Sequence, residues 1–279
     1  MRIALCTLLV ATLAGGGCAR RPALPAADPP PRPPVRQVAA ASTADVFWAK
    51  AKREIYATPA ALLAQDLAEA RSGLRFAKLM HGNPALPQVA LTFDDGPHPR
   101  STPQILAILK REGVRATFFV VGKMAEKYPD LVRAEVQAGH LLGNHSYHHL
   151  DLVRIPERQV LAEWQACQDV VLAITGRNMS YCRPPGGDYD RAVIQAAAGL
   201  GLTTVLWTDD PGDYARPGEH TIEVKTLDKV HNGGIILLHD GVQQTIDVLP
   251  QVISRLKAKG YKFVTVDRMQ PATRLARVL

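Results

Sequence analysis

Between Gln88 and Val266 short apolar runs alternate with longer amphipathic ones. The runs "QVALTF", "RATFFVVG", "HLLGN", "YCRP", "TTVLW", "GIILLH" and "KFVTV" read as strands. Between them lie "STPQILAILKREG", "PDLVRAEVQAG", "PERQVLAEWQACQDVVLAITG", "DRAVIQAAAGLG", "TIEVKTLDKVHNGG" and "TIDVLPQVISRLKAKG", which read as helices. Several of these stop at Gly, as a helix C-terminal cap should. Steady strand–helix alternation predicts a parallel sheet or barrel with helices outside. Seven strands is near the barrel number of eight. The expected fold class is therefore α/β: a (β/α) barrel of about seven parallel strands with outer helices, over residues 86–270.

The chain before the alternation divides differently. Residues 1–18 have a basic start, an apolar run and a small-residue end, the pattern of a secretory signal. That run is short for a membrane span. It ends on Cys18 after three glycines, which resembles a bacterial lipoprotein signal and makes Cys18 a lipidation candidate, although Gly15 stands where such signals usually carry Leu. Residues 19–43 are Pro- and Ala-rich, an extended tether. Residues 44–85 read as a helical extension running to about Met80, with Thr58-Pro59 as an N-cap followed by Pro at the first helical position. No chemistry is assigned to that extension. Residues 271–279 form a short tail.

Charged and imidazole side chains collect at successive strand ends, where the site of a (β/α) barrel lies. The first strand stops on Asp94 and Asp95. Later ones run into "NHSYHH", Arg183, "TDDPGD", and His239 with Asp240. Side chains alternate along a strand, so Asp94 and Asp95 are expected to start toward different environments. His145 and His149 are four residues apart, which on one helical turn puts both imidazoles on one face, suited to one metal. Two His and one carboxylate leave an open position on Zn²⁺ for water. His148 breaks that spacing and is placed behind the ligands or in solvent.

In order, "TFDDG", "HSYHH", "RPPGG", "DPGDY" and "LLH" resemble the five signature motifs of the polysaccharide deacetylases, the NodB-homology enzymes of carbohydrate esterase family 4. The resemblance covers about residues 86 to 268. It implies a distorted (β/α) barrel that removes N- or O-acetyl groups from glycans with a divalent metal, Zn²⁺ first. Carried over by motif, Asp95, His145 and His149 hold the metal. Asp94 is the general base, with Arg183 as its partner. His239 is the general acid, kept cationic by Asp213. An amide near Gly186 supports the oxyanion, Tyr214 forms an aromatic wall, and Leu237 lines the acetyl pocket. Two adjacent carboxylates then have two jobs, one neutralised by metal and the other free to take a proton. This chain departs from the family at Gly186, usually Tyr, and at Tyr214, usually Trp. Both bear on substrate more than on reaction.

Composition adjusts the picture only at its edges. Apolar content is 47% of 279 residues, ordinary for a globular protein. The net charge is +7, but residues 1–37 hold five Arg against one Asp, so much of the excess lies outside the barrel. No basic face with interleaved aromatics points to nucleic acid, and no obligate protein partner is evident. With Cys6 inside the signal, Cys167 and Cys182 remain, a disulfide candidate in an oxidising compartment; two separate buried thiols are the alternative. The expected partners are a polysaccharide substrate and, through the lipid, a membrane. The expected place is the bacterial cell envelope, as an exported lipoprotein. Peptidoglycan is the favoured glycan and a chitin-like polymer the next. The alternatives are a non-catalytic glycan-binding lipoprotein, an O-acetyl esterase acting on a xylan-type glycan, and a metal hydrolase of another bond. No H-E-x-x-H pattern or phosphate-cradling loop supports the last.

Overall fold

The computed structural model describes residues 56–269. The signal, Cys18, the tether, the helix expected over residues 44–55 and the tail lie outside these residues. All seven expected strands are present and every pairing is parallel: β2 (Gln88–Gly96), β3 (Thr117–Val120), β4 (Leu141–Asn144), β5 (Tyr181–Cys182), β6 (Thr203–Val205), β7 (Gly234–His239) and β8 (Lys262–Phe263). An eighth, β1 (Lys78–Leu79), pairs with β6. The order is β1-β6-β5-β4-β3-β2-β7, with β8 on the first residues of β2. Thr208 and Asp209 bond to β7 at Ile235 and Leu237, and Gly82 donates to Gly233, so the chain after β6 and β1 closes toward β7. This is a distorted (β/α) barrel.

β2 and β7 make its longest pairing. Both are buried almost throughout, which is why "VALTF" and "IILL" are continuous apolar runs rather than alternating ones. Around the sheet lie α1 (Pro59–Arg71), α2 (Ser101–Glu112), α3 (Gly122–Lys127), α4 (Pro129–Gln137), α5 (Glu157–Thr175), α6 (Arg191–Gly199), α7 (Glu219–Lys229) and α8 (Gln243–Ala258). Trp164, Val171, Leu249, Val252 and Leu256 are among the helical side chains sealing the core. Gly113 and Gly176 cap α2 and α5 in the left-handed conformation, as expected from their positions.

The extension is where the sequence reading is corrected. Thr58 does cap α1, accepting from the Ala61 amide at 3.2 Å, with Pro59 following. The helix then ends at Arg71 instead of continuing to Met80. Gly73 turns the chain at φ 75°, a value an L residue adopts only under strain, and the chain joins the sheet as β1. Lys78 fixes it there: its side chain is buried, pairs with Asp66 at 2.9 Å and with Glu69, and donates to the Tyr189 hydroxyl at 2.9 Å. A buried ammonium is tolerated only with such partners. From Tyr56 on, the described part of the extension is thus built into the barrel, with β1 paired to β6.

Candidate active site

The site grows from a break in β2. Its register with β3 shifts between Phe93 and Gly96, and Asp95 is left-handed at φ 71°. Such a bulge re-aims side chains. The expected separation of Asp94 and Asp95 therefore fails: both carboxylates reach the same imidazole, with Asp94 Oδ2 3.7 Å and Asp95 Oδ1 3.5 Å from His145 Nε2. Gly96 is needed next, because a Cβ there would stand 2.8 Å from Asp240 Oδ2.

"HSYHH" is not helical, contrary to expectation. It is a loop in which Ser146 (φ 60°) and His149 (φ 57°) are both left-handed. The fold is held locally. Asn144 Oδ1 accepts from the Ser146 amide at 3.0 Å, Ser146 Oγ accepts from the His149 amide at 3.0 Å, and Glu163 accepts from the amides of Tyr147 and His148. The loop still brings the two imidazoles together, with Nε2 atoms 3.2 Å apart. His148 turns away, half-exposed, onto Glu163 at 2.7 Å.

Asp95, His145 and His149 offer ligand atoms that all lie within 4.8 Å of one another and form the one such group found among the described residues. The donor set fits a divalent cation. His145 Nδ1 lies 2.7 Å from the Arg183 carbonyl and must donate to it, which leaves its Nε2 lone pair aimed at the cluster. Asp95 Oδ1 is buried without a hydrogen bond among the described residues and sits 3.1 Å from His149 Nε2. Burial alone would raise the Asp95 carboxyl, yet the imidazoles of His149 and His145 hold it well below the usual carboxylate range. Two nitrogens and one oxygen suit Zn²⁺ with an open position.

Arg183 and His239 flank this cluster. Arg183 is fully buried. It donates to Asp94 Oδ1 (2.7 Å), Thr92 Oγ1 (2.8 Å) and the Val205 carbonyl (3.2 Å), and its guanidinium lies 4.1 Å over the Phe119 ring. Asp94 Oδ2 keeps no hydrogen bond among the described residues. His239 ends β7 opposite Asp94. Its Nδ1 lies 2.7 Å from Asp213 Oδ1, while its own amide and the Thr245 hydroxyl donate to Asp213 Oδ2. Burial works against the imidazolium, but Asp213 overcomes it and pushes His239 up to about 9. Its Nε2 has no hydrogen bond among the described residues. Tyr214 stands edge-on, 5.5 Å away. Leu237 is buried on the same face of β7, two residues earlier. Gly186 is left-handed at φ 68° in the turn that follows Arg183. The next glycine is equally constrained: a Cβ on Gly187 would stand 2.4 Å from the Trp207 ring.

A family model described as polysaccharide deacetylase matches residues 81–205. A peptidoglycan-N-acetylglucosamine deacetylase of Bacillus cereus is 36% identical over 186 residues, covering 65% of this chain and 87% of its own. The chain belongs to the polysaccharide deacetylase family. A chitooligosaccharide deacetylase of Sinorhizobium fredii is 38% identical over 192 residues, covering 63% of this chain and 88% of its own. A solved peptidoglycan N-acetylglucosamine deacetylase superposes with a TM-score of 0.69 at 31% identity, covering 74% and 97% of the two chains.

Two features of this deacetylase correct the sequence reading. Cys167 and Cys182 are free thiols, not a disulfide. Each is fully buried with its own contact, Cys167 Sγ at 3.4 Å from the Val120 carbonyl and Cys182 Sγ at 3.6 Å from Thr204 Oγ1. Burial pushes both up to about 12, so they behave as small apolar groups. The second is Tyr56, in the extension to which no chemistry was assigned. Its ring centroid lies 4.7 Å from that of His239 and 4.2 Å from that of Tyr214. No local motif surrounds it; only an unexplained aromatic just before the Thr58-Pro59 helix start could have drawn attention. Thr92, Asn144 and Glu163 were missed likewise, because they support the site residues from behind. Asp210 is a turn residue, accepting from the Gly212 amide at 2.7 Å.

Proposed function

We propose that this deacetylase hydrolyses the N-acetyl group of hexosamine units in a cell-envelope polysaccharide, with peptidoglycan favoured and a chitin-like glycan next. Asp95, His145 and His149 would hold a divalent metal, Zn²⁺ first. The observation that carries the reading is a pair of buried reactive atoms, Asp94 Oδ2 and His239 Nε2, each without a hydrogen bond among the described residues and each held by a partner on its other side. When bound, such a metal polarises an amide carbonyl and acidifies a water. Asp94 accepts the water proton at Oδ2 while Arg183 grips Oδ1. The Gly186 amide donates to the oxygen that becomes negative. His239, cationic through Asp213, delivers its Nε2 proton to the leaving amine. Leu237 lines the acetyl methyl pocket, and Tyr214 faces the sugar. The names of the peptidoglycan and chitooligosaccharide deacetylases it is similar to support the substrate class. The signal pattern and Cys18 support export to the envelope on a lipid anchor. Cys18→Ala is then expected to move the protein out of the membrane fraction.

Released acetate tests the reaction. With de-lipidated peptidoglycan, acetate is expected to appear, to stop with chelator, and to fall about 10²–10⁴-fold in Asp94→Asn, the range for loss of a general base. Higher release from chitooligosaccharide would reorder the substrates. Release from acetylated xylan alone would make the protein an O-acetyl esterase. Zinc binding with no acetate from any of these glycans would leave a glycan-binding protein and sink the assignments.

A further inference from the structure

We infer that Tyr56 is a positioning residue of the catalytic site, contributed from outside the segment that the family model matches. The inference rests on the role proposed for His239. Tyr56 is buried, and its ring meets the His239 imidazole at 4.7 Å and 69°, and Tyr214 at 4.2 Å and 37°. Tyr214 meets the same imidazole at 5.5 Å and 75°. Asp213 holds His239 by a single ring nitrogen, and one hydrogen bond fixes a point rather than a plane. Two aromatic rings packed against the imidazole supply the missing constraint. They stop it swinging about the Asp213 bond and keep Nε2 aimed across the site.

The same short strap reaches a second part of the machinery. The Ala57 amide donates to the Gly186 carbonyl at 2.8 Å. That bond fixes the peptide plane following Gly186, whose own amide is the proposed oxyanion donor. Residues 56 and 57 therefore steady both the acid and the oxyanion turn. They are held in turn by α1, through Leu62, which is buried, and through Gln65, which donates to the Tyr189 carbonyl at 3.0 Å. Tyr56 touches no reacting atom; it acts through His239.

The test compares wild type, Tyr56→Ala and Tyr56→Phe in the full chain. Tyr56→Ala is expected to lower kcat about tenfold to a hundredfold with KM within about twofold, since small misplacements of a catalytic group act on the chemical step. Tyr56→Phe restores the ring and is expected to recover most of kcat. An unchanged or raised kcat in Tyr56→Ala, a change confined to KM, or a Phe variant as poor as the Ala variant would each overturn the inference. The imidazole ¹⁵N–¹H signal of His239, identified by its loss in His239→Gln, gives a readout free of turnover. It is expected to be sharp in wild type and broadened in Tyr56→Ala; equal sharpness in both overturns the inference. Were wild type inactive on every glycan, the proposed reaction would fail while this signal still judged the role of Tyr56.

Discussion

Each end of the barrel buries histidine, and His239 at one end and His140 at the other are pushed in opposite directions. His239, at the C-terminal end of β7, is pushed up to about 9 because Asp213 outweighs its burial. His140, just before β4 at the opposite end, is pushed down to about 4 by burial, with Arg115 adding to the effect. Its Nδ1 accepts from the Ala116 amide at 3.1 Å, and its ring packs edge-on to Phe118 at 5.3 Å. A ring that accepts at one nitrogen and meets an aromatic at its edge has no reason to hold a second proton. Burial favours the neutral imidazole, and a carboxylate paired to the ring can outweigh it, as Asp213 does at His239. The fold supplies burial at both ends, and one acidic side chain separates a histidine pushed down from one pushed up.

Removing that side chain should break the contrast and gives the largest expected effect. Asp213→Asn leaves His239 buried without its counter-charge, so it should resemble His140. Acetate release at neutral pH is expected to fall about 10²–10³-fold. The acid must be protonated to act, so the alkaline limb of the pH–rate profile should move toward lower pH. An unmoved limb would mean that another group donates the proton. The arginines of the two ends sharpen the comparison further. Arg183 is buried and paired, whereas Arg115 is exposed. Arg183→Lys keeps the charge but loses the planar fork that serves Asp94, Thr92 and the Val205 carbonyl. A loss of about 2–4 kcal/mol in unfolding free energy is expected, toward the figure for breaking a buried pair, together with a lower kcat. Arg115→Gln should shift stability by less than about 0.5 kcal/mol, as an exposed substitution does. Denaturant titration reads both, and equal effects would show that the buried fork contributes nothing special.

What the sequence disclosed follows from where each signal resides. The seven strands were legible because a parallel sheet buried on both faces demands continuous apolar runs, and β2 and β7 are such runs. The residues at the strand ends were legible because acids and imidazoles are conspicuous beside them. The conformations were not. The left-handed Ser146 and His149 lie in a loop held by Asn144 and Glu163, and Glu163, sixteen residues beyond Tyr147, meets that loop only once the chain has folded. β1 was hidden because two residues carry no period, and Lys78 looks like a surface residue until its acids are placed around it. Cys167 and Cys182 resembled a bridge because the sequence suggests the compartment but not the neighbours. Tyr56 was illegible for the same reason: its partners come from β7 and the turn at Asp213, more than a hundred residues away.

The most direct test of the neutral histidine is stability in acid. His140 has a folded value near 4 against an unfolded value near 6.5. As pH falls below about 6.5 the unfolded chain takes a proton that the folded chain refuses until about 4. Stability should therefore drop across that window. Wild type alone cannot read this slope, because Asp240 opposes it. Burial raises Asp240 to about 6, so its contribution is present below its unfolded value and lost as pH rises through 6. His140→Asn isolates the histidine, since the Asn carbonyl can still accept from the Ala116 amide and does not titrate. The variant is expected to be somewhat less stable than wild type at pH 7, having lost the contact with Phe118. The difference should then move steadily in its favour as pH falls from 6.5 to 4. Melting temperatures taken in chelator at half-unit steps would show it. A difference that stays flat across that window would mean that His140 takes up its proton without resistance, and that burial at the N-terminal end of the barrel does not suffice to keep an imidazole neutral.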